Sequence, residues 1–238
     1  MKRYLYLVLI LVIGLQGCKS VDTLKNSSYG SGYYIENTVY SPNGSYIEYP
    51  QLYGMDDQDV EYKLNNMIKD FIMKKSGITK EMETFLLPDG IIWTDTLTVN
   101  YNYEITLQTS EILSILFRGS SDFQSSPMDH YTNQEAYGLT IDIKTQTELK
   151  LADFASLNEE LVEKIQDAPA VNSFGENIDE EEKQAMLGIN NIDDKNKILE
   201  GLKNEYAFYT YCISEKTLII SIPVAHASGD YMLLNICY

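Results

Sequence analysis

The chain has 238 residues, 35 of them acidic against 18 basic, for a formal charge of −17. That balance excludes a nucleic-acid partner, because strands and duplexes are held largely by Lys and Arg neutralising phosphates, and no basic stripe or cluster occurs. It also repels anionic lipid and favours cationic partners, while a 44% apolar content suffices for one sizeable core.

The first element is an address. Lys2 and Arg3 precede an uninterrupted apolar run from Tyr4 to Gly14, too short to span a bilayer as a permanent helix. Leu15-Gln16-Gly17-Cys18 places a small residue and a cysteine where that run ends, which resembles the lipobox of bacterial lipoproteins. Residues 1–17 are therefore read as a signal peptide, and Cys18 as the acylated first residue of an exported chain held at the membrane or outer surface through its lipid. Each buried acyl methylene contributes about 0.8 kcal/mol, so the protein body need not touch the bilayer. Residues 18–32, rich in Ser, Gly, Asn and Lys, form a tether. The folded part is expected over 33–238, as one unit with segments 33–150 and 151–238.

Tyr33 to Tyr40 and Ser45 to Tyr49 flank the turn formers Ser41-Pro42-Asn43-Gly44, which predicts a hairpin. From Asp56 the apolar residues Val60, Leu64, Met67, Ile68, Phe71 and Ile72 recur at helical spacing, and the helix should end near Lys75, before Gly77. Ser76 to Asp89 reads as a connecting excursion closed by Pro88-Asp89-Gly90. Leu97 to Leu107 alternates apolar and polar residues, the period of a half-buried strand. Ile112 to Phe117 and Ala136 to Ile143 complete an antiparallel meander around a polar loop, Gly119 to Tyr131.

Leu149 to Phe154 leads into a helix carrying Leu157, Leu161 and Ile165, with Pro169 as its stop. Asp179-Glu180-Glu181-Glu182 opens another helix, and Ile192 to Leu202 continues beyond a loop at Asn190-Asn191. Tyr206 to Ile213, Thr217 to Val224 and Tyr231 to Ile236 close the chain as strands. The fold class is α+β: antiparallel sheets with packed helices, since helices interrupt runs of strands instead of alternating with them. Cys212 and Cys237 both lie in the last strands, where an exported chain can bridge them or bury them as two thiols.

The order of segments resembles a known family. Tyr49-Pro50-Gln51-Leu52 and Gly54 ahead of the Asn65-bearing helix, the run from Tyr137-Gly138-Leu139-Thr140 to Leu151-Ala152-Asp153-Phe154, and the closing loop Pro223 to Gly229 are similar to the extracytoplasmic domain of PdaC-type deacetylases and RsiV-type anti-sigma factors. The resemblance covers Ser45 to Tyr238 and implies an envelope role, here without a deacetylase or cytoplasmic anti-sigma segment beside it. In that family some members sense lysozyme, which makes a cationic lysozyme-like protein the leading partner. A cell-wall glycan is the alternative, and a polysaccharide-modifying hydrolase stands third.

No enzyme is expected. There is no Gly-x-Ser-x-Gly elbow and no phosphate-cradling loop, and His130 and His226 lack partners at metal-ligand spacing, so neither metal nor cofactor is predicted. The 19 tyrosines suit strand packing, with Tyr29, Tyr33, Tyr34 and Tyr131 as the rings best placed to be exposed.

Overall fold

The computed structural model describes residues 32–79, 84–86, 92–94, 96–126, 129–189, 191–204 and 209–237. The leader, Cys18 and Tyr29 lie outside them, as does most of the tether. No helix among the described residues is long and apolar enough to cross a membrane.

The opening hairpin joins β1 (Tyr34–Tyr40) to β2 (Tyr46–Tyr53). Asn43 and Gly44 supply the positive φ its turn needs, and the Ser45 amide closes it on the Pro42 carbonyl at 2.8 Å. Helix α1 (Gln58–Lys75) starts where the Asp57 carboxylate accepts from the Asp59 and Val60 amides, and it buries Leu64, Ile68, Ile72 and Met73. Asn65 on this helix clamps β2: its Oδ1 accepts from the Leu52 amide at 2.7 Å and its Nδ2 donates to the Leu52 carbonyl at 2.9 Å. The helix thereby takes the place of a neighbouring strand at that point.

The segment expected to be a connection carries a small ladder, β3 (Thr84–Leu86) with β4 (Ile92–Thr94). The meander follows as β5 (Thr96–Gln108), β6 (Ile112–Ser126) and β7 (Asp129–Asp142), and β8 (Thr147–Glu148) ends the sheet. The expected loop Gly119 to Tyr131 is instead ladder over most of its length. Residues 120–124 of β6 pair with β5 on one side and with residues 130–134 of β7 on the other. With the backbone bonded on both flanks, polar side chains on a half-exposed sheet do not stop the strand. The sheet order is β1-β2-β5-β6-β7-β8, and β2 meets β5 in parallel, where uniform antiparallel pairing was expected.

A 3-10 turn, Leu151–Asp153, leads to α2 (Glu159–Asp167), capped by Asn158 and ended before Pro169. Then come β9 (Ala170–Asn172) and β10 (Asn177–Ile178), a short hairpin that the sequence did not announce. Helices α3 (Glu180–Leu187) and α4 (Ile192–Asn204) follow, α3 opening on the Asp179 cap and closing on left-handed Gly188. Strands β11 (Thr210–Ile213), β12 (Thr217–Pro223) and β13 (Tyr231–Cys237) complete a second sheet ordered β10-β9-β13-β12-β11.

Three clusters define four layers. α1 covers one face of the first sheet through Ile47, Leu52, Tyr101, Ile115, Phe117 and Ile141. Leu116, Ala136, Cys212, Ile219, Tyr231 and Leu233 fill the space between the sheets. α2 and α4 cover the far face of the second sheet through Leu161, Ile165, Ile198, Ile220, Met232 and Leu234. Burial on both faces explains why β12 and β13 read as almost continuous apolar runs.

Two expectations are corrected. Cys212 and Cys237 are not bridged to each other: Cys212 is a free buried thiol on β11, Cys237 lies on β13, and β12 runs between them. Two strand spacings alone separate them by about 9–10 Å, and the register adds two residues along the strand because Cys212 lies across Ile219 from Asn235, so they stand beyond the roughly 7 Å a disulfide spans. Burial pushes the Cys212 thiol up to about 12, which leaves it inert as a nucleophile. Tyr33 is likewise not an exposed ring. Only 5% of it is accessible, and its hydroxyl donates to the Thr109 carbonyl.

Candidate functional site

Three separate stretches of chain meet at one end of the space between the sheets. The start of β7 brings His130, Tyr131, Thr132 and Gln134, the β9–β10 turn brings Phe174, and the loop ahead of β13 brings His226, Gly229 and Asp230. Together they line an open groove of about 460 Å³.

The loop is held from within and from outside. The Val224 amide donates to the Asp230 carbonyl at 2.9 Å, and a 3-10 turn, His226–Ser228, closes through Ser228 to the Ala225 carbonyl at 2.7 Å. Gly229 has φ 98°, and a β-carbon there would fall 2.4 Å from Ser173 Oγ, so only glycine fits against the β9–β10 turn. Asp230 is also left-handed, at φ 71°, a conformation that aspartate tolerates better than most residues.

That backbone aims the Asp230 carboxylate inward. Its Oδ2 accepts from the Gln134 amide at 2.7 Å, which ties the loop to β7. Its Oδ1 lies 2.7 Å from His226 Nδ1, so this ring nitrogen carries the proton and Nε2 is left for a ligand. The Asp230 side chain is only 10% exposed, whereas that of His226 is 70% exposed. A fixed carboxylate thus orients an accessible imidazole.

The opposite wall is as firmly built. Asn172 Oδ1 accepts from the Phe174 and Glu176 amides, shaping the turn, and Arg118 Nη2 donates to the Ser173 carbonyl at 2.8 Å. Arg118 Nε also donates to the Tyr231 hydroxyl, linking β6 to both other pieces of the site. Phe174 itself is 68% exposed, an apolar ring standing beside polar groups. Tyr131 is exposed as expected and packs against Phe123 with ring centroids 5.5 Å apart.

The two histidines, read separately from the sequence, are thus neighbours in one groove. His130 stands on β7 and not in a loop, because the strand extends to Asp129. Asp230 and Phe174 escaped sequence reading. The only trace of Asp230 is its i+4 spacing from His226 across Ser228-Gly229, and Phe174 sits in the unannounced hairpin. Tyr34, another ring expected to be exposed, is so on β1 and does not line the groove. Among the described residues no three His, Cys, Asp or Glu side chains converge as a metal-holding group. The groove offers hydrogen-bond donors and acceptors, one oriented imidazole and an apolar face; among the described residues no serine or cysteine lines it.

No family model matches the chain, and no curated protein matches it. Among solved structures, a DUF3298 family member from Bacteroides fragilis aligns at TM-score 0.44 and 10% identity, over 88% of this chain and 92% of that one. A DUF3298 family protein from Pseudomonas aeruginosa PAO1 aligns at TM-score 0.42 and 9% identity, over 87% and 89%.

Proposed function

We propose that the chain is a lipoprotein of the bacterial cell envelope, anchored through Cys18, and that its groove binds cell-wall glycan without turning it over. One observation carries the ligand class: the exposed Phe174 ring stands beside His130, Gln134, His226 and Asp230 in one open groove. A sugar ring presents an apolar C–H face and a rim of hydroxyls, and this pairing of a flat apolar ring with fixed polar groups answers both. The leader, the lipobox and the resemblance to PdaC- and RsiV-type domains support the envelope setting.

Sedimentation with purified cell walls tests the ligand. An aromatic contact contributes about 1–1.5 kcal/mol, so Phe174→Ala is expected to weaken binding about tenfold. Asp230→Asn should weaken it several-fold by releasing His226, and Tyr62→Ala, at an exposed position on α1, should leave it unchanged. Wild-type strength in a Phe174→Ala, His226→Ala double variant sinks the assignment. Mass spectrometry of chain extracted from membranes is expected to show acyl chains on an N-terminal Cys18; an intact leader ends the anchored reading.

The excess of 35 acidic over 18 basic residues favours a second reading, a cationic lysozyme-like protein as partner. Titration with cationic lysozyme should then give binding that weakens as salt rises, and no binding at low salt discards it.

A further inference from the structure

The two large sheets have four edges, and three are blunted. β8 and β10 offer two residues each, the length of β7 that β8 leaves uncovered is bonded by the Asp230 carboxylate at the Gln134 amide and by Thr210 Oγ1 at the Gly138 amide, and β11, four residues long, is packed against β6 and β7 by bonds such as Ile213 N to Ser114 Oγ at 2.9 Å. β1 differs. Its seven residues pair with β2 along their whole length on one side, and among the described residues no strand lies on the other.

Soluble proteins usually protect such an edge with lysine, proline, a bulge or brevity. β1, Tyr-Ile-Glu-Asn-Thr-Val-Tyr, has none of these and carries one charge, Glu36. Tyr34, Val39 and Tyr40 are 48%, 45% and 41% exposed, and Tyr46 on β2 is 40% exposed. Among the described residues, four of the eight large exposed apolar side chains therefore sit on this one hairpin.

The strand also reads nearly alike in both directions. From either end it runs tyrosine, β-branched aliphatic, polar residue, and then the central Asn37. We propose that β1 is a self-association edge, pairing antiparallel with β1 of a second copy about a two-fold axis at Asn37.

In that register Tyr34 faces Tyr40 of the second copy, Ile35 faces Val39, Glu36 faces Thr38, and Asn37 faces itself. Aromatic and β-branched side chains meet their own kind, the pairs that stabilise antiparallel ladders. The two glutamates sit diagonally and not opposite. Sliding by two residues one way sets Glu36 against Glu36; sliding the other way strips Tyr34 and Ile35 of partners. Even registers keep both copies' α1-covered faces on the same side of the joined sheet, so the first cores are undisturbed. Confinement to a membrane plane would raise the effective concentration of such an edge, although the pairing does not depend on the anchor.

Cysteine crosslinking of the full chain tests the edge and its register. Asn37→Cys, oxidised beside the wild-type chain, is expected to give a reducible covalent dimer in at least fivefold excess over wild type. Tyr34→Cys and Tyr40→Cys should crosslink when mixed and not when oxidised alone. Val39→Lys should abolish Asn37→Cys dimers while leaving the circular dichroism spectrum and melting temperature of the monomer unchanged. An Asn37→Cys yield no higher than wild type, equal crosslinking by Tyr40→Cys alone, or dimers that survive Val39→Lys would each overturn the proposal.

Discussion

Gly138→Ala is expected to drive the two sheets apart and lower the melting temperature by about 10 °C or more, at about 2–4 °C per kcal/mol for a domain of this size. A β-carbon at Gly138 would lie 1.8 Å from the Tyr211 carbonyl oxygen and 2.4 Å from its carbon. Sheets that pack through side chains stay about 10 Å apart, but here the backbone of β11 rests directly on β7. The Gly138 amide donates to Thr210 Oγ1 at 2.6 Å, so separating the strands also strands a buried donor. Overpacking costs about 1–3 kcal/mol or more, and the lost bond adds about 1 kcal/mol. Against a total of about 5–15 kcal/mol, much of the protein's margin is gone. Urea titration of wild type and variant measures it, and a midpoint shift of a few tenths molar would show that β11 yields without cost.

Glu135→Ala should be nearly as damaging. The Glu135 side chain, 8% exposed, accepts from the Tyr101 hydroxyl, from Tyr137 at 2.9 Å and from Ser121 Oγ at 2.8 Å. Removing it leaves three hydroxyls facing a new cavity, at about 1–3 kcal/mol for each buried group left unmatched, for a loss of about 3–5 kcal/mol in all. Glu135→Gln keeps the volume and two acceptor lone pairs and should lose about half as much. Thermal melts order the three proteins, and an alanine variant as stable as wild type would refute the network's importance.

Alkali probes the same place. The Tyr137 hydroxyl is held protonated well above the ordinary tyrosine value of 10.0, first by burial and then by the Glu135 charge. Because the folded value is the higher one, this contribution is intact below about pH 10 and drains away as pH rises beyond it.

Local pattern made much of this architecture readable. The α1 stripe from Val60 to Ile72, the alternation from Leu97 to Leu107 and the acidic start of α3 each declare their element, because each buries a single face against one neighbour. The arm of β6 and β7 beyond Gly119 did not: β6 is held there by ladders to β5 and β7, and β7 by its ladder to β6, partners that no window of sequence contains. The β9–β10 hairpin is three residues against two and is held by Asn172 and Arg118, so its propensity is negligible without the Ser173 and Tyr231 contacts. The groove was legible only in pieces. His130 and His226 are 96 positions apart, and the Gln134 to Asp230 hydrogen bond that unites their segments is a property of the packed sheets. The cysteine pair misled for a related reason, since proximity in sequence says nothing about the intervening β12.

The strand order of the second sheet sets a timetable for folding. β13, which follows every other described strand along the chain, is the middle one: β9 bonds to one of its edges and β12 to the other. Until β13 is in place, the β9–β10 and β11–β12 hairpins are unjoined halves with bare apolar faces. The first sheet, complete by Glu148, can settle earlier and offer β7 as a platform on which those halves wait. Completion of the second sheet is thereby governed by the arrival of seven residues, the stage at which a folding chaperone would be needed most.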